Sequence, residues 1–224
     1  MSSLDIIRDR IELITFDCYG TLVDWETGIR SALRGIWDSD DPAVFDAYLD
    51  AEAEIELRAY RPYRQVQADA VRLVADRLGR TVPPGREHAL SQSLPDWPLW
   101  PDTNAALQRL KSRYRIGVLS NIDRDLFAGT QRHLSVTPDL LITAQDVGSY
   151  KPAAGHFKRM LESIGGDSSR VLHAAQSLFH DCVPTTQMGI ANVWINRRNE
   201  VNATAARPMA VFRDVAGLAD ALGV

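Results

Sequence analysis

The sequence predicts an α/β protein built on a doubly wound parallel sheet, with a helical cap inserted after the first strand. Two observations lead to this prediction. Short apolar runs of about four residues alternate with longer amphipathic stretches along most of the chain, as strands and helices of a parallel sheet do. Between residues 25 and 94 the alternation stops and helical patterns alone remain.

Five apolar runs are the predicted strands, and each is apolar on both faces and partly β-branched. They are Leu13–Phe16, Ile116–Leu119, Leu140–Thr143, Val171–Ala174 and Asn192–Ile195. Strands buried between two layers of helices have this composition. Helical patterns such as Thr103–Ser112 and His156–Ile164 lie between the runs.

The inserted segment is predicted to contain several helices. Asp41-Pro42 is typical of a helix start, and that helix is expected to run towards Tyr60. A second helix is expected over Gln65–Leu78, closed by Gly79. A proline-rich stretch at 94–101 is the predicted hinge back to the sheet. We therefore expect a core of residues 1–24 and 95–224 and a cap of residues 25–94.

Composition and charge exclude several classes of protein. The chain has 224 residues, 45% of them hydrophobic, which is enough for a sizeable core. A net charge of −4 without a basic run argues against nucleic-acid binding. Cys18 and Cys182 are too few for a disulfide scaffold and lack C-x-x-C spacing. Charged residues at 8–10 interrupt the apolar N-terminus, which predicts no signal peptide, no membrane contact and a cytoplasmic location.

Polar residues follow the predicted strands at the points where reactive groups of parallel sheets gather. Asp17 follows the first strand, Ser120 and Asn121 the second, Lys151 comes after the third, and Asp181 after the fourth. Each alone is typical of a cap, turn or loop, but together they predict a carboxylate nucleophile. Asp17 would attack carbon or phosphorus while Lys151 keeps it ionised. Asp181 would anchor Lys151 or orient the hydrolytic water.

These stretches resemble the motifs of the haloacid dehalogenase (HAD) superfamily. Residues 16–24, Phe-Asp-Cys-Tyr-Gly-Thr-Leu-Val-Asp, are similar to its first motif. Ser120-Asn121 is similar to the second, and 149–152, Ser-Tyr-Lys-Pro, to the third. Residues 176–181 stand where the fourth motif falls. The resemblance implies a Rossmann-like core, a helical cap and hydrolysis by an aspartate nucleophile.

Two residues distinguish among branches of the superfamily. Its phosphatases carry a second aspartate where this chain has Tyr19, and a Mg²⁺-binding acid where it has Gln176. A tyrosine is a poor acid for a phosphate ester's leaving oxygen, and an amide is a poor ligand for a hard dication. The Asp-x-Tyr-Gly-Thr form resembles the type II (L-2-haloacid) dehalogenases. That likeness implies displacement of halide at C2 of a 2-haloacid through an aspartyl ester, with no metal and no cofactor.

The resemblance also implies a set of site residues. Asp17, Thr21, Ser120, Lys151 and Asp181 would be catalytic, and Cys18, Tyr19, Asn121, Ser177 and Phe157 would contact the substrate. Some positions depart from the type II pattern. Phe157 stands where an aromatic hydroxyl is usual, and Leu178 where an asparagine is usual. No cap arginine can be assigned to the halide, although three lie at positions 58, 61 and 64.

These departures agree with a smaller branch that resembles azetidine-2-carboxylate hydrolase. The shared stretches are 17–22, 24–29, 120–124, 142–152 and 177–181. The leading hypothesis is therefore a 2-haloacid dehalogenase-like hydrolase, and the closest alternative is a C–N ring-opening hydrolase. A Mg²⁺-dependent phosphatase and a non-catalytic binding protein rank below both. The expected partner is a small carboxylic acid, with a homodimer as a further expectation.

Overall fold

Within the computed structural model, which describes residues 3–224 apart from the side chains of Ser3 and Asp5, six parallel strands form one sheet. They are β1 (Leu13–Phe16), β2 (Arg115–Ser120), β3 (Leu140–Thr143), β4 (Val171–Ala175), β5 (Ala191–Ile195) and β6 (Val211–Phe212). Their order is β3-β2-β1-β4-β5-β6. Residues 1–2 of the predicted core lie outside the described residues.

Helices connect the strands and cover both faces of the sheet. They are α1 (Ser3–Ile7), α2 (Trp25–Trp37), α3 (Pro42–Glu56), α4 (Tyr63–Leu78), α5 (Ala89–Ser93), α6 (Thr103–Lys111), α7 (Arg124–Gln131), α8 (Ala144–Val147), α9 (Gly155–Ser163), α10 (Val183–Gln187) and α11 (Val215–Leu222). Successive residues of β1 point to opposite faces. Ile14 packs in a cluster that includes α6 and α11, whereas Leu13 packs in a second cluster with α9. The predicted doubly wound α/β sheet is confirmed.

The predicted strands agree with the structure, and one strand was missed. β1 and β3 have the predicted bounds, and the other three predicted strands are extended by one or two residues. The missed strand, β6, pairs with β5 through Trp194 opposite Val211 and Ile195 opposite Phe212. Two partly exposed residues are too few to produce a hydrophobic period, so no pattern indicated this strand.

Residues 25–94 contain helices and, in this described part of the chain, no strand. Helix α3 begins as its sequence predicts, because the Asp41 carboxylate accepts a hydrogen bond of 3.0 Å from the Ala43 amide. It ends at Glu56, earlier than expected. Helix α3 packs lengthwise on α4. The division into a core and a cap at these bounds remains a prediction.

Contacts across the chain hold these helices over the end of the sheet. Asp123, which follows β2, accepts hydrogen bonds from the Tyr63 and Arg64 amides at 2.9 and 3.1 Å. This capping from outside explains why α4 starts at Tyr63 and not at the predicted Gln65. Gly28 of α2 lies so close to Trp97 that a Cβ there would be 2.3 Å from the indole ring.

No helix within residues 3–224 is long and apolar enough to cross a membrane.

Candidate active site

Asp17 is the first residue after β1, and the fold holds its carboxylate by both oxygens. Its Oδ1 accepts a hydrogen bond of 2.9 Å from the Lys151 ammonium, and its Oδ2 accepts one of 2.9 Å from the Thr21 hydroxyl. Only 7% of Asp17 is exposed to solvent. Burial raises the pKa of Asp17, whereas Lys151 and Thr21 act in the opposite direction. The carboxylate is therefore fixed in position and placed beside a counter-ion.

Lys151 is buried, and all three of its ammonium protons have acceptors. Besides Asp17, it donates to Asp181 Oδ1 at 2.7 Å and to the Leu119 carbonyl at 3.0 Å. Burial alone would lower the pKa of Lys151, but the carboxylates of Asp17 and Asp181 raise it above its ordinary value. Lys151 therefore stays charged between two carboxylates.

Asp181 is held by a hydrogen bond from a residue of the sheet that the sequence analysis did not identify. His173 on β4 lies 2.9 Å through Nε2 from Asp181 Oδ1, and 2.9 Å through Nδ1 from the Thr15 hydroxyl. Burial opposes ionisation, but Lys151 and His173 hold the pKa of Asp181 below its usual range. The other oxygen, Oδ2, is buried and has no hydrogen-bond partner within residues 3–224. The pairing of β1 with β4, which puts Thr15 beside His173, is the signal that could have revealed this residue.

Ser120 and Asn121 close β2 at the same edge of the sheet but have different roles. The Ser120 hydroxyl is buried and has no partner among the described residues. The Asn121 side chain instead makes two hydrogen bonds to the Lys151 backbone. Its amide nitrogen donates to the Lys151 carbonyl at 3.1 Å, and its amide oxygen accepts from the Lys151 N–H at 2.7 Å. Ser120 thus has a donor available for a ligand, while Asn121 holds the lysine loop.

A cavity of about 320 Å³ opens above Asp17. Eight of the ten predicted site residues either line it or bond a lining residue directly. The lining residues are Asp17, Tyr19, Trp25, Ile29, Leu49, Glu52, Ala53, Glu56, Tyr63, Trp97, Ser120, Asn121, Ile122, Lys151, Gln176, Ser177, His180 and Asp181. Thr21 lies one layer below and donates to Asp17.

Cys18 and Phe157, two residues predicted to contact the substrate, do not line this cavity. Both are fully buried. Cys18 belongs to the larger hydrophobic cluster because successive residues after β1 alternate in direction. Phe157 lies on α9 and packs edge-on against His173, with ring centroids 5.5 Å apart. Both side chains therefore pack in the interior behind the cavity wall, and substrate contact at these positions stays a prediction.

Comparison with known proteins identifies the family. The sequence profile described as haloacid dehalogenase-like hydrolase matches residues 11–174. The chain belongs to the haloacid dehalogenase-like hydrolase family. It is 24% identical over 222 residues to an (S)-2-haloacid dehalogenase of Pseudomonas fluorescens, which covers 94% of this chain and 96% of the relative. A Pseudomonas putida protein, (S)-2-haloacid dehalogenase H-109, is 24% identical over 219 residues, or 94% and 97% of the two chains.

Solved structures share the fold. The L-2-haloacid dehalogenase RSc1362 superposes with a TM-score of 0.86 at 20% identity, covering 96% of this chain and 99% of the other. An L-2-haloacid dehalogenase from Xanthobacter autotrophicus with chloropropionic acid covalently bound has a TM-score of 0.83 at 18% identity, covering 94% and 97%. The chain is thus a hydrolase with the fold of these dehalogenases.

One structure of this fold, the HAD-hydrolase YfnB of Bacillus subtilis, is bound to magnesium; it superposes with a TM-score of 0.81 at 16% identity, covering 96% of this chain and 100% of the other. The residues here do not fit that ion. Lys151 and Thr21 already occupy the two oxygens of Asp17, and Gln176 offers an amide where a carboxylate would be needed. Among residues 3–224, no group of three or more His, Cys, Asp or Glu side chains could hold a metal ion.

The three arginines near the cap are engaged elsewhere. Arg58 pairs with Glu54, Arg61 pairs with Asp69, and Arg64 pairs with two aspartates that include Asp123. Among the described residues that line the cavity beside Asp17, none of these three arginines is found.

Two acidic residues line the cavity that the sequence analysis did not identify. Glu52 and Glu56 are four residues apart on α3 and therefore lie on one face of that helix. Glu52 Oε1 accepts hydrogen bonds from the Tyr48 hydroxyl at 2.7 Å and from the Tyr63 hydroxyl at 2.9 Å. An i, i+4 acidic pair on the otherwise buried side of a helix is the signal that could have revealed them.

Proposed function

We propose that this hydrolase uses the Asp17 carboxylate to displace a leaving group from C2 of a small 2-substituted carboxylic acid, without a metal, through an aspartyl-ester intermediate. The observation that carries the proposal is the Asp17 carboxylate at the cavity, held in one orientation by Lys151 and Thr21. A carboxylate held in one orientation beside a charged lysine and an enclosed space suits in-line attack on carbon. The names of the two Pseudomonas relatives support a halide as the leaving group.

The cavity supplies the other groups that the first step needs. The free Ser120 hydroxyl can donate a hydrogen bond to the substrate carboxylate. Lys151 offsets the negative charge that gathers when an anionic acid approaches Asp17. The aromatic side chains of Trp25, Tyr63 and Trp97 line the cavity and limit the access of water during the attack.

Hydrolysis of the ester regenerates Asp17. The water that attacks the ester carbonyl can hydrogen-bond to the free Oδ2 of Asp181, which is the buried acceptor beside Asp17. Because Lys151 and His173 keep the pKa of Asp181 low, this carboxylate orients the water and does not store a proton.

A second candidate is opening of a C–N bond in a strained ring, as in the azetidine-2-carboxylate type. The observation that favours it is the cap wall. In the described chain, carboxylates of Glu52 and Glu56 line the cavity and no arginine does. Both candidates share the nucleophile, the attacked carbon and the ester intermediate.

The test measures product release and labelling of the nucleophile. Purified protein is incubated in EDTA with chloroacetate, L- and D-2-chloropropionate, fluoroacetate and azetidine-2-carboxylate, and halide or ring-opened amine is quantified. A single turnover in H₂¹⁸O, followed by mass spectrometry, then locates the label. We expect EDTA-resistant turnover of at least one of these acids and ¹⁸O in the peptide that contains Asp17.

Two variants make the test specific. Asp17→Asn should abolish turnover. Asp24→Asn makes the same chemical change seven positions away, at the N-cap of α2, where asparagine caps as well as aspartate does. It should keep the activity. Turnover that EDTA abolishes, or that persists in Asp17→Asn, would refute the proposed mechanism.

A further inference from the structure

A chain of buried polar side chains runs from the middle of the sheet to the site. Thr15 on β1, His173 on β4 and Asp181 have no measurable exposure to solvent. The sheet register puts Thr15 directly beside His173, and the imidazole ring connects Thr15 to Asp181 with a distance of 2.9 Å on each side. Burying polar groups is costly, and an apolar pair would fill the same space without that cost. Packing alone therefore does not explain this chain.

The hydrogen bonds determine which nitrogen of His173 carries a proton. The pKa of Asp181 is lowered, so its carboxylate is ionised and only accepts, and Nε2 of His173 is the donor in that contact. Nδ1 then accepts from the Thr15 hydroxyl, which lies 2.9 Å from it and 3.4 Å from the Met160 sulfur, a much weaker acceptor. Thr15 thus keeps His173 in the tautomer that donates to Asp181.

Two donors meet on the same oxygen of Asp181. Lys151 donates to Oδ1 at 2.7 Å, and His173 donates to it at 2.9 Å. The Thr185 hydroxyl donates to the Asp181 backbone carbonyl at 2.6 Å, and Phe157 packs edge-on against the imidazole ring. Rotation of the carboxylate would break both bonds to Oδ1. The other oxygen, Oδ2, is therefore held in one place, without a partner among the described residues.

We propose that His173 is a positioning residue for the second step of the reaction, in which water hydrolyses the aspartyl ester. This inference rests on the function proposed above, in which Asp17 carries the ester and the free oxygen of Asp181 binds the water. His173 is fully buried and acts only through Asp181, whose Oδ2 it orients towards the water. The first step depends on His173 much less, because Lys151 and Thr21 hold the Asp17 carboxylate directly.

The step balances in atoms and charge. Water attacks the carbonyl carbon of the Asp17 ester, and the bond from that carbon to the oxygen on C2 breaks. The electron pair of that bond goes to this oxygen, which takes one proton of the water and leaves as the hydroxyl of the 2-hydroxy acid. The other proton is released to solvent as Asp17 becomes a carboxylate again. Asp181 ends the step in the state in which it began.

Rapid quenching followed by mass spectrometry measures the two steps separately, because it counts the ester on Asp17 as it forms and decays. The acid is L-2-chloropropionate, or another of the five acids named above if only that one turns over. In His173→Phe we expect ester formation at the wild-type rate and ester hydrolysis about 10- to 100-fold slower, so that the ester accumulates. Thr15→Val, which removes only the hydroxyl that holds the ring, should slow the same step.

Two further variants separate the hydrogen bond from a general loss of packing. His173→Gln keeps a side-chain N–H that can reach Asp181 and should restore much of the rate of ester hydrolysis. Asn192→Leu changes the buried neighbour of His173 on β5, which bonds Thr186 and makes no hydrogen bond to Asp181 in the described chain. In Asn192→Leu the ratio of the two rates should stay at the wild-type value.

The outcomes separate this inference from the function on which it rests. Ester that accumulates in His173→Phe and Thr15→Val, and less in His173→Gln, would support the positioning role. Equal slowing of both steps, unchanged hydrolysis, or the same accumulation in Asn192→Leu would overturn it while ¹⁸O in wild-type Asp17 still supports the nucleophile. Thr15→Val alone decides the matter if His173→Phe does not fold. Wild-type protein without ¹⁸O in Asp17 would instead refute the nucleophile, and with it the step that His173 serves.

Discussion

Replacing Lys151 by methionine removes the counter-ion of two buried carboxylates while keeping most of the side-chain volume. Three hydrogen bonds are lost, to Asp17 at 2.9 Å, Asp181 at 2.7 Å and the Leu119 carbonyl at 3.0 Å. Breaking a buried ion pair by removing one partner costs about 3–5 kcal/mol. We expect Lys151→Met to lose about that much free energy of unfolding at pH 8.

The loss of unfolding free energy in Lys151→Met should be smaller at lower pH, because Asp17 or Asp181 can then bind a proton instead of remaining an unpaired charge. Protonation costs about 1.36 kcal/mol for each pH unit above the ordinary aspartate pKa of about 3.9. That is about 1.5 kcal/mol at pH 5 and more than about 5 kcal/mol at pH 8. In the variant the folded-state pKa of these carboxyls lies above the unfolded value, so stability is present at low pH and lost as pH rises.

Urea unfolding of both proteins at pH 5 and pH 8 measures this difference. Lys158→Met is the matched control, since Lys158 is exposed on α9 and its replacement should change stability by less than about 0.5 kcal/mol. A loss below about 1 kcal/mol at pH 8 would contradict the assignment of Lys151 as a counter-ion. An equal loss at pH 5 and pH 8 would contradict it as well.

Two further predictions concern the contacts that hold the helices of residues 25–94. Gly28→Ala should cost about 1–3 kcal/mol of unfolding free energy, because its Cβ would lie 2.3 Å from Trp97. Gly35→Ala on the same helix has nothing within 4 Å of the new methyl and should stabilise by up to about 1 kcal/mol, so equal effects in thermal melts would contradict this packing. Asp123→Ala removes the acceptor that caps α4 and should cost about 1–2 kcal/mol in urea unfolding. Asp125→Ala, at an exposed position, should cost less than about 0.5 kcal/mol, and a similar loss in both would show that Asp123 acts only as a surface charge.

The sequence by itself determined five of the six strands of the sheet and the order of the polar residues that follow them. Buried parallel strands are apolar on both faces, so their runs are visible in one sequence, and the residues that follow them must meet at one edge. Asp17, Ser120 and Lys151 were found in this way. Their convergence on one cavity follows from the parallel direction of β1, β2 and β3.

Tertiary structure alone decided which side chains face the cavity and which support them. The amide of Asn121 turned out to hold the Lys151 backbone, and Phe157 to pack behind the site. His173 was visible only as one residue of an apolar run. Such roles depend on the direction of a side chain and on partners that are far away in sequence, and local periodicity carries neither.

The acidic wall of the cavity is the clearest case. Glu52 and Glu56 are ordinary residues for an amphipathic helix, where charged side chains usually face solvent. They reach the cavity because Asp123 caps α4 and the Tyr150 hydroxyl donates to the Arg61 carbonyl at 2.7 Å, which brings the paired helices over the sheet. The sequence thus determined most of the scaffold and predicted the nucleophile. The docking of distant helices decided the charge that a leaving group meets, because that charge depends on contacts between segments about 60 to 90 residues apart.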